Sequence, residues 1–442
     1  MRLGIFGTGY VGLVTSVCFA ELGHSVVAMD KDSDVVTRLS DGALTIYEPG
    51  LQELLRSNLR AERLSFTTDA GEALDSAEVV FLCVGTPSRS DGRADLSQVE
   101  QVVRGIAPLV DGYKLIVEKS TVPVNTAYCI DRAIRQLGVE AECEVASNPE
   151  FLREGSAVHD FLHPDRIVIG ADSERARGLL LELYQHDFGC PILVTSVKMA
   201  ELIKHTANAF LATKISFINM VADLCEKVGG DVDTIARGIG LDHRIGTHFL
   251  RAGLGFGGSC FGKDLKAFVR IADEAGVDFA LLREVEKINT SRVDALLKKL
   301  DQALWVLRDK TVGVLGVAFK DNTDDIREAP SLRIIPRLLE SGVTLRIYDP
   351  QAAGKLATLY PADEQLTYVE SAYEASRGAH ALLVLTEWEE FQSLDFACVR
   401  SLMRTPVIVD GRNLFEAGRM RKHGFEYYSL GRGDAILERA TG

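Results

Sequence analysis

"RLGIFGTGYVGLVTSVCFAELGHSVVAMDKD", Arg2 to Asp32, orders its signals in a way that decides the first fold assignment. A short apolar run comes first, then Gly7, Gly9 and Gly12, then a longer apolar stretch, then "SVVAM" closing on Asp30. The short runs bounded by glycine and charge read as buried strands, and the longer stretch between them as a helix. Gly7 allows a tight turn, Gly9 lets a diphosphate approach the backbone, and Gly12 lets the helix lie close on the strand. The amides at the helix start can then hold phosphate oxygens. Asp30 follows Gly12 by 18 residues, where an acid accepts hydrogen bonds from an adenosine ribose. It repels a 2'-phosphate, so NAD is favoured over NADP, although the adjacent Lys31 weakens that preference. Gly7, Gly9, Tyr10, Val11 and Gly12, with Asp30, therefore form the candidate cofactor site of a Rossmann domain.

The same design continues downstream. "AEVVFLCVGTPS", "KLIVEKSTVPVNT" and "ECEVASNPEFLREGSA" each read as a buried strand ending in a polar turn. Ligands of open parallel sheets sit beyond the carboxyl ends of the strands, which makes Thr86, Thr121, Glu150 and Glu154 candidates to face cofactor and substrate. From Ser196 to Val228 the chain runs 33 residues without proline or glycine, predicting one long helix. Lys204 and Asn208 stand four apart on it and share a face. A lysine and an amide placed so can bind a developing oxyanion. "DKTVGVLGVAFKDNTDDIREAPSLRIIPRLLESGVTLRIYDPQA" then repeats the strand, loop, helix and strand plan without GxGxxG, with Gly316 closing the first strand and Asp349 the second. Lys320, Arg327 and Arg412 in this half can bind a nucleotide diphosphate or sugar diphosphate.

Between the halves, "GLGFGGSCFGKDLKA" surrounds Cys260 with glycine and follows it with Lys263 and Asp264. Glycine packs little and loses much entropy on folding, so the loop is expected to be bare to let a substrate reach the sulfur. A free thiol needs a cation or a helix terminus beside it to act as a nucleophile near neutral pH. The eight cysteines show no paired spacing and the nine histidines no metal set, which predicts reduced thiols in the cytoplasm and no metal. With 442 residues, a net charge of -14 and no long apolar run, nucleic acid and membrane are excluded as expected partners, and no leader segment is expected.

The motifs "GIFGTGYVG", "VGTPS", "EKSTVPV", "SNPEFLREGSA", "PDRIVIG", "KHTANAFLATKISFIN", "RIGTHFLRAGLGFGGSCFGKD", "GVAFKDNTDDIREAPS" and "DGRN", in this collinear order, resemble the nucleotide-sugar dehydrogenases, most closely their UDP-glucose branch. The resemblance implies an α/β chain with two Rossmann-like doubly wound domains joined by a long central helix that forms a dimer core. The divisions it suggests are 1–195 for NAD, 196–300 for the central helical part with the cysteine loop, and 301–442 for the UDP-sugar. It implies oxidation of UDP-glucose to UDP-glucuronate with two NAD and one water, through a thiohemiacetal and a thioester on Cys260. GDP-mannose or another nucleotide sugar is the alternative substrate.

By matching motif, Lys204 and Asn208 would stabilise the oxyanion, Asp264 would assist activation of water, and Thr121 and Glu150 would position water or assist proton transfer. Thr86, Thr121, Glu154, Lys263 and Arg327 would touch NAD. The UDP-sugar would lie against Glu150, Phe151, Leu152 and Arg153, against Phe249, Leu250, Arg251, Ala252, Gly253, Gly257 and Phe261, and against Phe319, Lys320 and Arg412. Lys204 and Asn208 would also touch it, and Arg244 would reach a substrate in the partner subunit. Two positions depart from the family pattern. Gly262 replaces a frequent proline, which predicts a more flexible loop, and Val35 replaces a frequent basic residue, which predicts somewhat weaker NAD binding.

Overall fold

The computed structural model describes residues 1–75, 77–89, 91–139, 142–185 and 188–433. Two compact units divide the chain: Met1–Ala207 with Lys266–Val277, and Asn208–Leu265 with Asp278–Gly442.

In the first unit the strands are Arg2–Phe6 (β1), Ser25–Met29 (β2), Leu64–Thr67 (β3), Val79–Leu82 (β4), Lys114–Glu118 (β5), Cys143–Ser147 (β6), Ile167–Gly170 (β7) and Ile192–Thr195 (β8). They form one sheet in the order β3-β2-β1-β4-β5-β6-β7-β8. Leu3 of β1 pairs with Val26 on one side and Val79 on the other, both in parallel. The chain reverses direction across the sheet at β1 and β4, so the loops after these strands open a crevice where a ligand can lie. Every residue of β4 and β5 is buried, as expected of parallel strands covered on both faces. The core gathers Leu3, Ile5, Val17, Phe19 and Phe81, each contributing roughly 2 kcal/mol by burial. β7 joins antiparallel to β6, through Ser147 and Gly170, and carries β8 at the edge. Leu193 and Val194 of that edge strand stay exposed, so its pattern gives no strand signal of its own.

Both close-approach glycines behave as the motif requires. Gly7 has φ +93°, and a Cβ on Gly12 would stand 1.8 Å from the Gly7 carbonyl oxygen. The helix Tyr10–Glu21 therefore lies on the turn only because Gly12 has no side chain.

The second unit has its own six-stranded parallel sheet, made of Thr311–Leu315 (β9), Thr344–Tyr348 (β10), Leu366–Tyr368 (β11), Ala381–Val384 (β12), Val407–Asp410 (β13) and Glu426–Ser429 (β14). Its order, β11-β10-β9-β12-β13-β14, repeats that of the first six strands of the other sheet. Two Rossmann-like sheets and a long helix are thus present, as expected. That helix spans Val197–Val228, within one residue of its sequence-based start, and the boundary between the units falls inside it. Among the described residues no helix is long and apolar enough to cross a membrane.

Candidate functional site

The cofactor turn is built for an anion. The helix Tyr10–Glu21 has Gly9 at its cap and no side-chain cap hydrogen bond, so its first amides are left for another acceptor. A Cβ on Gly9 would meet nothing within 4 Å, so the space above the turn is open. Asp30 is held at the end of β2, its Oδ2 accepting the Thr8 amide and the Thr8 hydroxyl, both at 2.8 Å. A dinucleotide fits this turn: amides for the diphosphate and a carboxylate for the ribose.

Beyond β4, β5 and β6 the predicted polar loops come together. The Thr86 hydroxyl donates to the Thr121 carbonyl at 2.8 Å. Lys204 and Glu150 form a buried ion pair at 3.0 Å, with the Lys204 ammonium 5.3 Å from the centre of the Phe151 ring. The Glu150 carboxylate also accepts the Leu152 amide at 2.6 Å. Arg153 turns outward to Asp160 at 2.6 Å, and Glu154 is buried. Two residues that sequence reasoning missed hold the β5 loop to the long helix. Glu201 accepts the Asn125 amide at 2.6 Å and the Ala127 amide at 2.9 Å, while His205 Nε2 lies 2.7 Å from the Val122 carbonyl oxygen.

Lys119 lies below these loops, donating to Asn148 at 2.9 Å between the rings of Phe81 and Phe161. Burial drives its proton affinity down, to a pKa of about 8 from 10.5. Above pH 10.5 the amine is neutral folded and unfolded. As pH falls from there toward 8, the unfolded chain takes up the proton first and stability declines, by about 3 kcal/mol in total. Lys119→Met removes that penalty. Asn148 keeps a donor, because the Tyr184 hydroxyl reaches the same oxygen at 2.6 Å. The variant is therefore expected to melt higher than the parent at pH 7, with the gap closing toward pH 10. A gap that does not change with pH would show that the lysine is not held in this state.

In the second unit the helix Phe261–Glu274 starts directly after the thiol. The Cys260 carbonyl accepts the Asp264 amide at 2.8 Å, which puts Cys260 at the helix cap, where the partial positive charge favours a thiolate. The Ser259 hydroxyl is 3.6 Å from the sulfur. One turn on, Asp264 Oδ2 accepts the Asn208 side-chain amide at 2.6 Å, and the Lys263 ammonium is 3.4 Å from Oδ1. Elsewhere burial pushes the thiols of Cys18, Cys83, Cys143, Cys190 and Cys225 up, Cys83 to about 12, so these are poor nucleophiles.

The glycines before Cys260 need a different account from the expected one. A Cβ on Gly255 would stand 2.1 Å from Asn289 Oδ1, and one on Gly257 2.9 Å from Phe319 Cβ. A Cβ on Gly258, at φ +81°, would stand 2.8 Å from the Phe319 ring, and one on Gly253 2.8 Å from the Gly411 carbonyl oxygen. Protein atoms fill the space that the sequence suggested was kept for substrate. Among the five glycines of this stretch, only at Gly262, after the thiol, would a Cβ meet nothing within 4 Å. The loop is bare so that it can pack against Asn289 and Phe319.

Models of three domains of the UDP-glucose/GDP-mannose dehydrogenase family match this chain: the NAD binding domain at residues 1–187, the central domain at 198–291 and the UDP binding domain at 313–417. The chain belongs to the UDP-glucose/GDP-mannose dehydrogenase family. It is 47% identical to a UDP-glucose 6-dehydrogenase of Pseudomonas aeruginosa, over 98% of each chain. Identity to a UDP-glucose 6-dehydrogenase of Rhizobium meliloti is 46%, over 98% of this chain and all of that one. A solved UDP-glucose dehydrogenase of the hyperthermophilic archaeon Pyrobaculum islandicum shares 41% identity and a TM-score of 0.90, over 98% of this chain and 97% of that one.

The chain is thus a dehydrogenase with an NAD-binding domain, and the turn at Gly7–Gly12 fits that cofactor. Other family motif residues are placed as follows. Arg412 is buried and donates to the carbonyls of Leu385, Gly255 and Phe319 at 2.8, 3.0 and 2.6 Å, tying the glycine loop to the second sheet. Arg327 pairs with Asp325 at 2.7 Å, and Lys320 lies 5.8 Å from the Phe319 ring centre. Phe249 and Phe261 meet edge to face at 6.2 Å, Arg251 is exposed, and Leu250 and Ala252 are buried. Arg244 is exposed and pairs with Asp242 at 2.6 Å. Asn289 escaped the sequence reading. It accepts the Phe256 amide at 2.8 Å and donates to the Phe256 carbonyl at 3.0 Å, clamping the loop before Cys260. Among the described residues no group of three or more His, Cys, Asp or Glu side chains is placed to hold a metal.

Proposed function

We propose that this chain oxidises the C6 alcohol of UDP-glucose to the carboxylate of UDP-glucuronate through covalent intermediates on Cys260. The observation that carries the proposal is Cys260 at a helix cap with the Asn208–Asp264 pair one turn away. Bound NAD supplies the hydride acceptor in each of the two oxidations. Loss of a hydride and the hydroxyl proton converts the alcohol to an aldehyde. The Cys260 sulfur then adds to that carbonyl carbon, and the oxygen becomes the thiohemiacetal oxyanion, later protonated. Asn208 and Lys204 are assigned to stabilise the oxyanions as donors. Loss of a second hydride, together with the thiohemiacetal hydroxyl proton, leaves a thioester. Water attacks its carbonyl, with Asp264, Thr121 and Glu150 positioning it or taking its proton, and the thiol returns. Thr86, Glu154, Lys263 and Arg327 are assigned to NAD. The assigned sugar-diphosphate groups are Phe151–Arg153, Phe249–Gly253, Gly257, Phe261, Phe319, Lys320 and Arg412, with Arg244 reaching a partner subunit's substrate. The relatives named UDP-glucose 6-dehydrogenase support this substrate, and the three family-model matches support the division at 1–195, 196–300 and 301–442.

A homodimer is part of the reading. Phe210, Phe217, Leu224 and Val228 are 65%, 56%, 60% and 69% exposed and recur along one face of the long helix. The test measures NADH formed from UDP-glucose and from GDP-mannose side by side, with the molar mass by light scattering. Two NADH per UDP-glucose, at least about a hundredfold preference in kcat/KM over GDP-mannose, and twice the chain mass are expected. Turnover with GDP-mannose alone would reassign the substrate, and a monomer that turns over fully would remove the dimer.

A further inference from the structure

One buried carboxylate beside the cofactor turn has no part in this mechanism. Glu48 sits in "YEPG", Tyr47 to Gly50, and is 3% exposed. Its Oε1 accepts the Ala157 amide at 2.7 Å, and its Oε2 accepts the Gly155 amide at 2.7 Å and the Tyr10 hydroxyl. The Gly155 amide also reaches the Tyr10 oxygen at 3.1 Å. Tyr10 is the first residue of the helix on the glycine turn. Gly155, at φ +82°, and Ala157 close the loop that carries Glu150 and Glu154. A single carboxylate, contributed by neither segment, therefore joins both.

We infer that Glu48 is a positioning residue: it locks Tyr10 against the 148–157 loop, and so holds the amides of the cofactor turn and the loop's acids in one geometry. The inference builds on the functional assignment of those two segments. Burial raises the proton affinity of Glu48, and the donors from Tyr10, Gly155 and Ala157 oppose that rise. Such a carboxylate is retained only where its donors are fixed, because an unmatched buried charge is strongly destabilising. The tie also explains why Tyr10 carries a hydroxyl, since that hydroxyl donates to Glu48.

The test uses Tyr10→Phe and Glu48→Gln in the full chain. The primary readout is the Kd for NADH by fluorescence titration, without sugar substrate. Thermal melting and the steady-state constants follow. Tyr10→Phe removes one hydroxyl without changing charge, and Glu48→Gln sets an NH2 group against the Ala157 or the Gly155 amide, whichever way the side chain is turned. Each is expected to weaken NADH binding about tenfold and to raise KM for NAD in parallel, with kcat falling as well because Glu150 rides on the released loop. The double variant is expected to be no weaker than the worse single one, because both break the same link. NADH affinity within twofold of the parent in Tyr10→Phe would overturn the inference, leaving Glu48 a structural tie. Tighter binding in Glu48→Gln would overturn it differently, by showing that the charge only repels the diphosphate. If Glu48→Gln fails to fold, Tyr10→Phe alone decides. Because the titration needs no sugar, a wrong sugar assignment leaves its result intact.

Discussion

Cys260→Ala is expected to lose formation of the carboxylate by on the order of 10⁴-fold or more, the scale seen when a covalent nucleophile is removed. The parent should yield two NADH per UDP-glucose, and acid-quenched parent sampled during turnover should carry a sugar acyl group on Cys260 by mass spectrometry. The variant should carry none. The fold should hold: Cys260 is only partly buried, at a helix cap whose bond uses its backbone carbonyl rather than its sulfur, so a change of about 0.5 kcal/mol is expected. That separation matters for the interpretation, since lost activity with an unchanged melting temperature isolates the chemistry. One NADH per sugar in both proteins would reduce Cys260 to a packing residue and the enzyme to a single-step alcohol dehydrogenase.

Lys204→Ala is expected to have the second largest effect, on two quantities at once. Removing the ammonium leaves Glu150 buried without its partner at 3.0 Å, which should destabilise the protein by about 3 kcal/mol or more in urea unfolding. If Lys204 also binds an oxyanion, kcat should fall by roughly a hundredfold or more. The two effects are separated by Lys204→Met combined with Glu150→Leu. With both charges gone the stability should return to within about 1 kcal/mol of the parent, because apolar residues of similar volume can replace a buried pair. Activity should stay low. Recovery of activity along with stability would mean that the pair is structural and that the oxyanion donors lie elsewhere.

How much of this was legible varies from residue to residue. The turn at Gly7–Gly12 was readable because its requirements are local: a positive φ at Gly7 and a contact five residues away that admits no Cβ. The long helix was readable because its length without proline or glycine is a property of one segment. The roles of the glycines around Cys260 were not. Absence of a side chain looks the same in sequence whether a substrate or Phe319 fills the space, and only packing tells them apart. Arg412 shows the same limit. Its charge suggested a diphosphate, and only the fold shows that its guanidinium also donates to the carbonyls of Leu385, Gly255 and Phe319. Asn289 and Glu48 gave little or no signal at all, because an asparagine in a helix or a glutamate in a turn is ordinary until it is buried.

By itself the sequence determined the class of fold, the cofactor turn with its acid, the long helix and the family. Each depends on periodicity, on backbone freedom at glycine or on residues near one another in the chain, where composition dictates conformation. Only the tertiary structure decided which polar groups are buried against which: Glu48 with the Tyr10 hydroxyl and the amides of Gly155 and Ala157, Glu150 with Lys204, Asn208 with Asp264, and Asn289 with Phe256. The partners in these sets are separated by 33 to 109 positions. Nothing local selects among the many acceptors and donors at such distances. The selection comes from burial, since a polar group carried into the interior must find the donor or acceptor that the packed strands and helices place beside it.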